Sequence, residues 1–252
     1  MKVIIVKDKS AMARRAAQLI AEDMQKRTPF VLGLATGSTP VPLYKEFIAM
    51  NKAKDLDFSS VVTFNLDEYV GLPPQHDQSY RYFMNNELFD HVNIQKRNTF
   101  VPDGMAASPE DFCCHYEAMI RDVGGIDYQV LGIGSNGHIA FNEPGSSIAS
   151  RTRVVPLTEN TRKDNARFFK SIHEVPSRAM TMGIGTILEA RKVVLLACGE
   201  NKTDAVLKAL QGAVTAMVPA SALQMHGDVT FVITEDAATK IKTPYGSYFE
   251  KQ

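Results

Sequence analysis

Twenty-eight basic and 28 acidic residues cancel in a chain of 252, of which 44% is hydrophobic and 22% charged. That composition is an ordinary globular one with length enough for a large core, and it excludes a global field that would draw the chain to nucleic acid or to an anionic membrane. Any affinity for phosphate has to be local.

From the N-terminus, the apolar run over 3–6 is cut off by Lys7, Asp8 and Lys9, too short for the hydrophobic region of a signal peptide. No later run reaches membrane-spanning length. Continuous apolar runs over 3–6, 30–35, 61–66, 128–133, 193–198 and 229–234 predict strands buried on both faces. Between them, helical patterns cover 10–26, 41–51, 79–89, 108–121, 159–170 and 201–210. This alternation predicts an α/β fold, a three-layer α/β/α arrangement around a mostly parallel open sheet, Rossmann-like, with residues 1–252 as a single domain. Cys113 and Cys114 are adjacent on a predicted helix and Cys198 ends a predicted strand. That is neither a disulfide framework nor a zinc spacing, so no metal is expected and a reducing cytoplasm fits.

The longest irregular stretches are 67–78 and 134–150, both after predicted strands, where ligands of open parallel sheets bind. The first motif precedes them. Ala35-Thr36-Gly37-Ser38-Thr39-Pro40 runs from a strand into the helix predicted from residue 41, and it reads either as a phosphate cradle of amides and hydroxyls or as an ordinary Ser/Thr N-cap. It lacks the lysine of a nucleotide P-loop.

The second motif is Asn65-Leu66-Asp67-Glu68-Tyr69-Val70-Gly71, where a strand ends in two adjacent carboxylates. A carboxylate there can act as a general base, and the alternative is a solvated acidic loop. Successive side chains on extended backbone point to opposite sides, so Asp67 and Glu68 should not share one role.

The third runs from Gly132 to Gly145, and its start, Gly132-Ile133-Gly134-Ser135-Asn136-Gly137, matches the dinucleotide fingerprint. The context does not, because Asn142, Pro144 and Gly145 interrupt any helix that would open on the third glycine. What the segment offers is an imidazole, His138, and a carboxylate, Glu143, as an acid/base pair, with a structural histidine as the alternative. The histidines at 76, 91, 115, 173 and 226 are read as structural. Two cations complete the set: Arg167 in a helix-like stretch, and Lys202 just past a strand end. Either could clamp a phosphate, or simply be solvated.

In order, spacing and wording, ATGSTP, FNLDEYVGL and GIGSNGHIAFNEPGSS resemble the glucosamine-6-phosphate deaminase family, and the likeness continues through SRTRVVPLTENTRKDNARFF, AMTMGIGTIL and PASALQMH. The resemblance implies conversion of glucosamine 6-phosphate to fructose 6-phosphate and ammonia, without metal or organic cofactor. It implies Asp67 as the base that moves the proton from C2 to C1, and His138 as the group that opens the pyranose ring, held by a hydrogen bond to Glu143. Thr36, Gly37, Ser38, Thr39, Arg167 and Lys202 fall where the family binds the sugar phosphate. The stretch 151–178, polar and helical, resembles the family's lid.

Two departures qualify the likeness. Asn136 stands where the allosteric, hexameric members carry an aspartate, which reduces a carboxylate-histidine-carboxylate arrangement by one charge. Val155 stands where those members carry a lysine for the activator's phosphate, although Ser147 and Arg153 remain. Activation by N-acetylglucosamine 6-phosphate is therefore not expected, and the choice between monomer and homo-oligomer stays open. Two alternatives are kept: a 6-phosphogluconolactonase-like enzyme, which would not need Asp67 with His138 and Glu143, and a non-catalytic sugar-phosphate sensor. A sensor would carry a DNA-binding module, and with the first strand beginning at Lys2 none is expected. The tail from 242 to 252 has no reading.

Overall fold

A computed structural model describes residues 1–157, 169, 171, 174–241 and the backbone of 249–251. Among them are strands β1 (Lys2–Val6), β2 (Val31–Leu34), β3 (Val62–Asn65), β4 (Asp67–Tyr69), β5 (Thr99–Phe100), β6 (Tyr128–Gly132), β7 (Arg153–Pro156), β8 (Arg178–Thr181), β9 (Lys192–Ala197), β10 (Val229–Thr234) and β11 (Phe249–Lys251). The helices are α1 (Lys9–Met24), α2 (Val41–Lys52), α3 (Tyr80–Met84), which continues into a π-helical turn over Asn85–Phe89, α4 (Pro109–Asp122), α5 (Ile184–Leu188) and α6 (Thr203–Gln211).

Eight strands form a sheet in the order β11-β1-β10-β9-β6-β2-β3-β5, with every neighbouring pair parallel. Each of the six predicted apolar runs lies in this sheet. Its two faces carry separate cores, which is why those runs are apolar on both sides. One face packs Met12, Ala16 and Ile20 of α1, Tyr44 and Phe47 of α2, and Leu88 and Phe89. The other packs Tyr116 and Ile120 of α4, Ile184 and Ile187 of α5, and Val206 and Ala209 of α6. Local chemistry sets the helix starts: the Asp8 carboxylate accepts from Ala11 N at 2.8 Å, and Ser79 Oγ from Tyr82 N at 3.0 Å.

A second, three-stranded antiparallel sheet has the order β4-β8-β7. It corrects two expectations. Residues 67–69 are strand and not the start of an irregular loop, and the part of 151–178 at Arg153–Pro156 is strand where a helical segment was expected. The remainder of that segment at 158–168, 170, 172 and 173, with most of the predicted helix over 159–170, lies outside the described residues. The chain crosses from one sheet to the other at Leu66, whose amide donates to Leu34 O (3.0 Å) and whose carbonyl accepts from Met182 N (2.7 Å).

Beyond β2, β3 and β5 the chain returns to place β6 on the opposite side of β2. That reversal opens a crevice at the carboxyl ends of β2 and β6. No helix among the described residues is long and apolar enough to cross a membrane.

Candidate active site

The crevice holds a cavity of about 310 Å³ lined by loops from four adjacent strands, β9, β6, β2 and β3. Residues 36–40 come from β2, Asp67 from the end of β3, Gly134, Ser135 and His138 from β6, and Lys202 from beyond β9. Thr36, Gly37, Ser38 and Thr39 thus line one cavity with Lys202 and Asp67. Arg167 is outside the described residues. Tyr80 and Phe141 also line the cavity. Phe141 sat within a recognised motif without a role, and Tyr80, brought in by α3, had no local signal at all.

On the cradle side, α2 starts with Pro40 at its N-cap and no side chain capping it. The ordinary Ser/Thr N-cap reading therefore does not hold, and the first-turn amides are left to solvent or to a ligand. Gly37 has φ 93°, in the left-handed region. Two contacts anchor the loop: the Tyr44 hydroxyl donates to Ala35 O, and Lys9 Nζ reaches over from α1 to Ser38 O at 2.8 Å.

Asp67 and Glu68 part company as the alternation of extended backbone requires. Glu68 is buried and accepts from three amides, Tyr69 N and Tyr80 N on Oε1 and Arg81 N on Oε2, each at 2.9 Å. It is the anchor for the start of α3. Burial pushes its carboxyl up to about 7, against those amides and the Arg81 charge, which pull it down. Asp67 points to the cavity and is only 6% exposed. Burial, reinforced by the neighbouring Glu68 charge, pushes its carboxyl up to about 8.

Residues 133–150 contain no helix, so the glycines after β6 do not build a dinucleotide turn. They build a seat for an imidazole. A Cβ on Gly134 would lie 2.2 Å from His138 Cε1, so only glycine lets the ring fold back over its own loop. His138 Nδ1 lies 2.8 Å from Asn136 Oδ1, and Asn136 Nδ2 donates to Glu143 Oε2 at 2.7 Å. Glu143 itself is 3.6 Å from the ring nitrogen.

The expected direct hydrogen bond from Glu143 to the ring is therefore replaced by a relay. A carboxylate accepts only, so it fixes the amide with Nδ2 toward Glu143 and Oδ1 toward the ring. Oδ1 in turn takes the proton on Nδ1, leaving Nε2 as the lone-pair nitrogen of the neutral ring. Among the described residues no group of three or more His, Cys, Asp or Glu is placed to hold a metal ion.

Over most of its length the chain is similar to known proteins. Residues 7–232 match the family model described as glucosamine-6-phosphate isomerases/6-phosphogluconolactonase. A glucosamine-6-phosphate deaminase of Shewanella halifaxensis is 56% identical over 241 residues, covering 96% of this chain and 92% of that protein. One from Clostridium perfringens is 52% identical over 242 residues, covering 96% and 100%. The solved structure of a monomeric glucosamine-6-phosphate deaminase superposes with a TM-score of 0.92 at 44% identity, covering 95% of this chain and 99% of that one. A 6-phosphogluconolactonase from Thermotoga maritima shares the fold alone, with a TM-score of 0.74 at 20% identity over 93% of this chain and 100% of that one. The chain belongs to the glucosamine-6-phosphate isomerase/6-phosphogluconolactonase family.

Proposed function

We propose that this cavity converts glucosamine 6-phosphate and water to fructose 6-phosphate and ammonia. The observation that carries the reading is a buried carboxylate, Asp67, held at a strand end in one cavity with the 36–40 loop and an oriented imidazole. The reading rests equally on relatives above 50% identity that share the activity.

Each group then has one task. The amides and hydroxyls of Thr36, Gly37, Ser38 and Thr39, with Lys202 and Arg167, take the phosphate. His138 Nε2 passes a proton between the O1 hydroxyl and the ring oxygen, and the pyranose opens to an aldehyde. The carbonyl acidifies C2, whose proton goes to Asp67. The electron pair moves into a C1–C2 double bond while the carbonyl pair passes to O1, which takes a proton from the substrate's ammonium group, giving an enolamine. Returning that proton to C1 leaves an iminium at C2, which water attacks, and ammonia departs as the ketone forms. A base of ordinary carboxylate strength would hold the proton poorly between the two transfers; burial raises Asp67 toward about 8 and makes it a keeper as well as an acceptor. We infer a cytoplasmic setting, in which Cys113, Cys114 and Cys198 stay free thiols.

The test is to supply glucosamine 6-phosphate and follow ammonia and fructose 6-phosphate. Asp67→Asn should lower kcat by roughly 100- to 10,000-fold. Full activity in that variant refutes the base assignment, and lactone hydrolysis without ammonia release supports the lactonase alternative instead. Binding without turnover would point to a sensor.

A further inference from the structure

The acid/base groups sit on two different pieces of chain, Asp67 on the small sheet and His138 on the loop after β6, and their relative placement has to be enforced by something. The small sheet supplies it. Across its three strands, Asp67 of β4 and Arg153 of β7 both pair with Thr181 of β8, so Asp67, Thr181 and Arg153 form one row. Two members of that row reach the His138 loop. Thr181 Oγ1 accepts from Phe141 N at 3.1 Å, and Arg153 Nη1 donates to Asn142 Oδ1 at 2.8 Å.

Asn142 is fully buried and uses its whole amide. Nδ2 donates to Ile139 O at 3.0 Å and to Met182 O at 2.9 Å, while Oδ1 takes Arg153. Carbonyl oxygens only accept and a guanidinium only donates, so the orientation is unique. Leucine would take the side-chain donor from the Met182 carbonyl and the acceptor from Arg153, and aspartate would set a carboxylate against the Ile139 and Met182 carbonyls. Between these anchors lies a strained turn. Asn142 N closes onto Ile139 O at 3.0 Å, and Ala140, with a Cβ, is held at φ 51°. A left-handed alanine persists only where its surroundings over-determine it. Here the surroundings are the Asn142 and Thr181 clamps, and the strained residue lies between His138 and Glu143 and lines the cavity.

We propose that Arg153 and Asn142 are positioning residues for ring opening: through the shared row with Thr181 they hold the 138–143 loop at a fixed place relative to Asp67. This deepens the functional reading above and rests on it. Neither residue touches the substrate cavity wall, so the phosphate grip should not depend on them.

Arg153→Ala separates the steps. Its kcat for ammonia release from glucosamine 6-phosphate should fall roughly 10- to 100-fold, the loss typical of a misplaced reacting group, with KM within about threefold. A second assay calls on Asp67 alone: exchange of the C1 hydrogen of fructose 6-phosphate with D2O, whose open keto form arises in water without the enzyme. That exchange should stay within about twofold of the unaltered protein. Arg153→Lys, which keeps one donor for Asn142, should recover most of kcat. Exchange falling in parallel with deamination, or unchanged deamination, overturns the proposal. If Arg153→Ala does not fold, Arg153→Gln is read by the same assays, and failure of both to fold also overturns it by assigning the residue to the fold. An unaltered protein that releases no ammonia sinks the functional reading itself, a result distinct from any of these.

Discussion

Asp67 trades stability for chemistry, and the trade can be read from its pH dependence. Its folded carboxyl is raised to about 8, far above the ordinary carboxylate value of about 4. The folded state therefore binds this proton more tightly than the unfolded chain, and stability falls as pH rises from about 4 to about 8, then levels. Asp67→Asn removes the ionisation with little change of shape. The variant should unfold with the unaltered protein near pH 4 and several degrees above it near pH 9, measured by thermal scans in matched buffers. A variant less stable at both values would show that the carboxylate is not held at a cost. The residue was legible in the sequence as a strand-end acid, and its opposition to Glu68 followed from backbone alternation. The Asn136 relay was not legible, since only the fold decides which of two polar groups, two and five residues away, meets a ring.

At the scale of elements, the second sheet depends on a buried carboxylate in α4. Glu117 accepts from Thr152 N at 2.8 Å, from the hydroxyls of Thr152 and Thr186, and from Arg151, which also pairs with Glu189. One side chain thus ties α4 to the approach of β7 and to α5. Glu117→Ala leaves the Thr152 amide and two hydroxyls without their acceptor while Arg151 keeps Glu189, and should cost about 1–3 kcal/mol in urea titrations. A second element-level contact lies in the main sheet, where a Cβ on Gly33 of β2 would come within 2.0 Å of Gln129 Oε1 on the paired β6. Gly33→Ala should cost about 1–3 kcal/mol through overpacking, again read from urea titration. These contacts explain which elements could be read in advance. Apolar runs such as Val193 to Ala197 announce strands wherever they lie. By contrast, β4 is Asp-Glu-Tyr, β7 begins with arginine and β8 carries arginine and threonine. Each is a strand because a neighbour completes its hydrogen bonds, a tertiary cause with no local signature.

For the molecule as a whole, these two carboxylates act on opposite flanks of one stability curve. Burial pushes Glu117 up, but its hydroxyl, amide and guanidinium donors outweigh burial and hold it below the usual range. Its contribution is therefore fully present above the unfolded value of about 4.3 and is lost as pH falls through the depressed folded value. Asp67 works on the other side, subtracting stability between about 4 and about 8. The acid flank belongs to the joint between α4 and the small sheet, and the neutral-to-alkaline decline belongs to the active site. Unfolding midpoints across pH should rise steeply out of acid and then sag toward pH 8. Glu117→Gln should flatten the acid rise and leave the sag, whereas Asp67→Asn should reduce the sag to the part that Glu68, raised to about 7, contributes, and leave the acid rise. Among the described residues the two carboxylates share no hydrogen-bond partner, so the double variant should show both effects added. A single variant that altered both flanks would show that the joint and the active site are not separate determinants, and would tie the small sheet's anchorage directly to the state of its catalytic carboxylate.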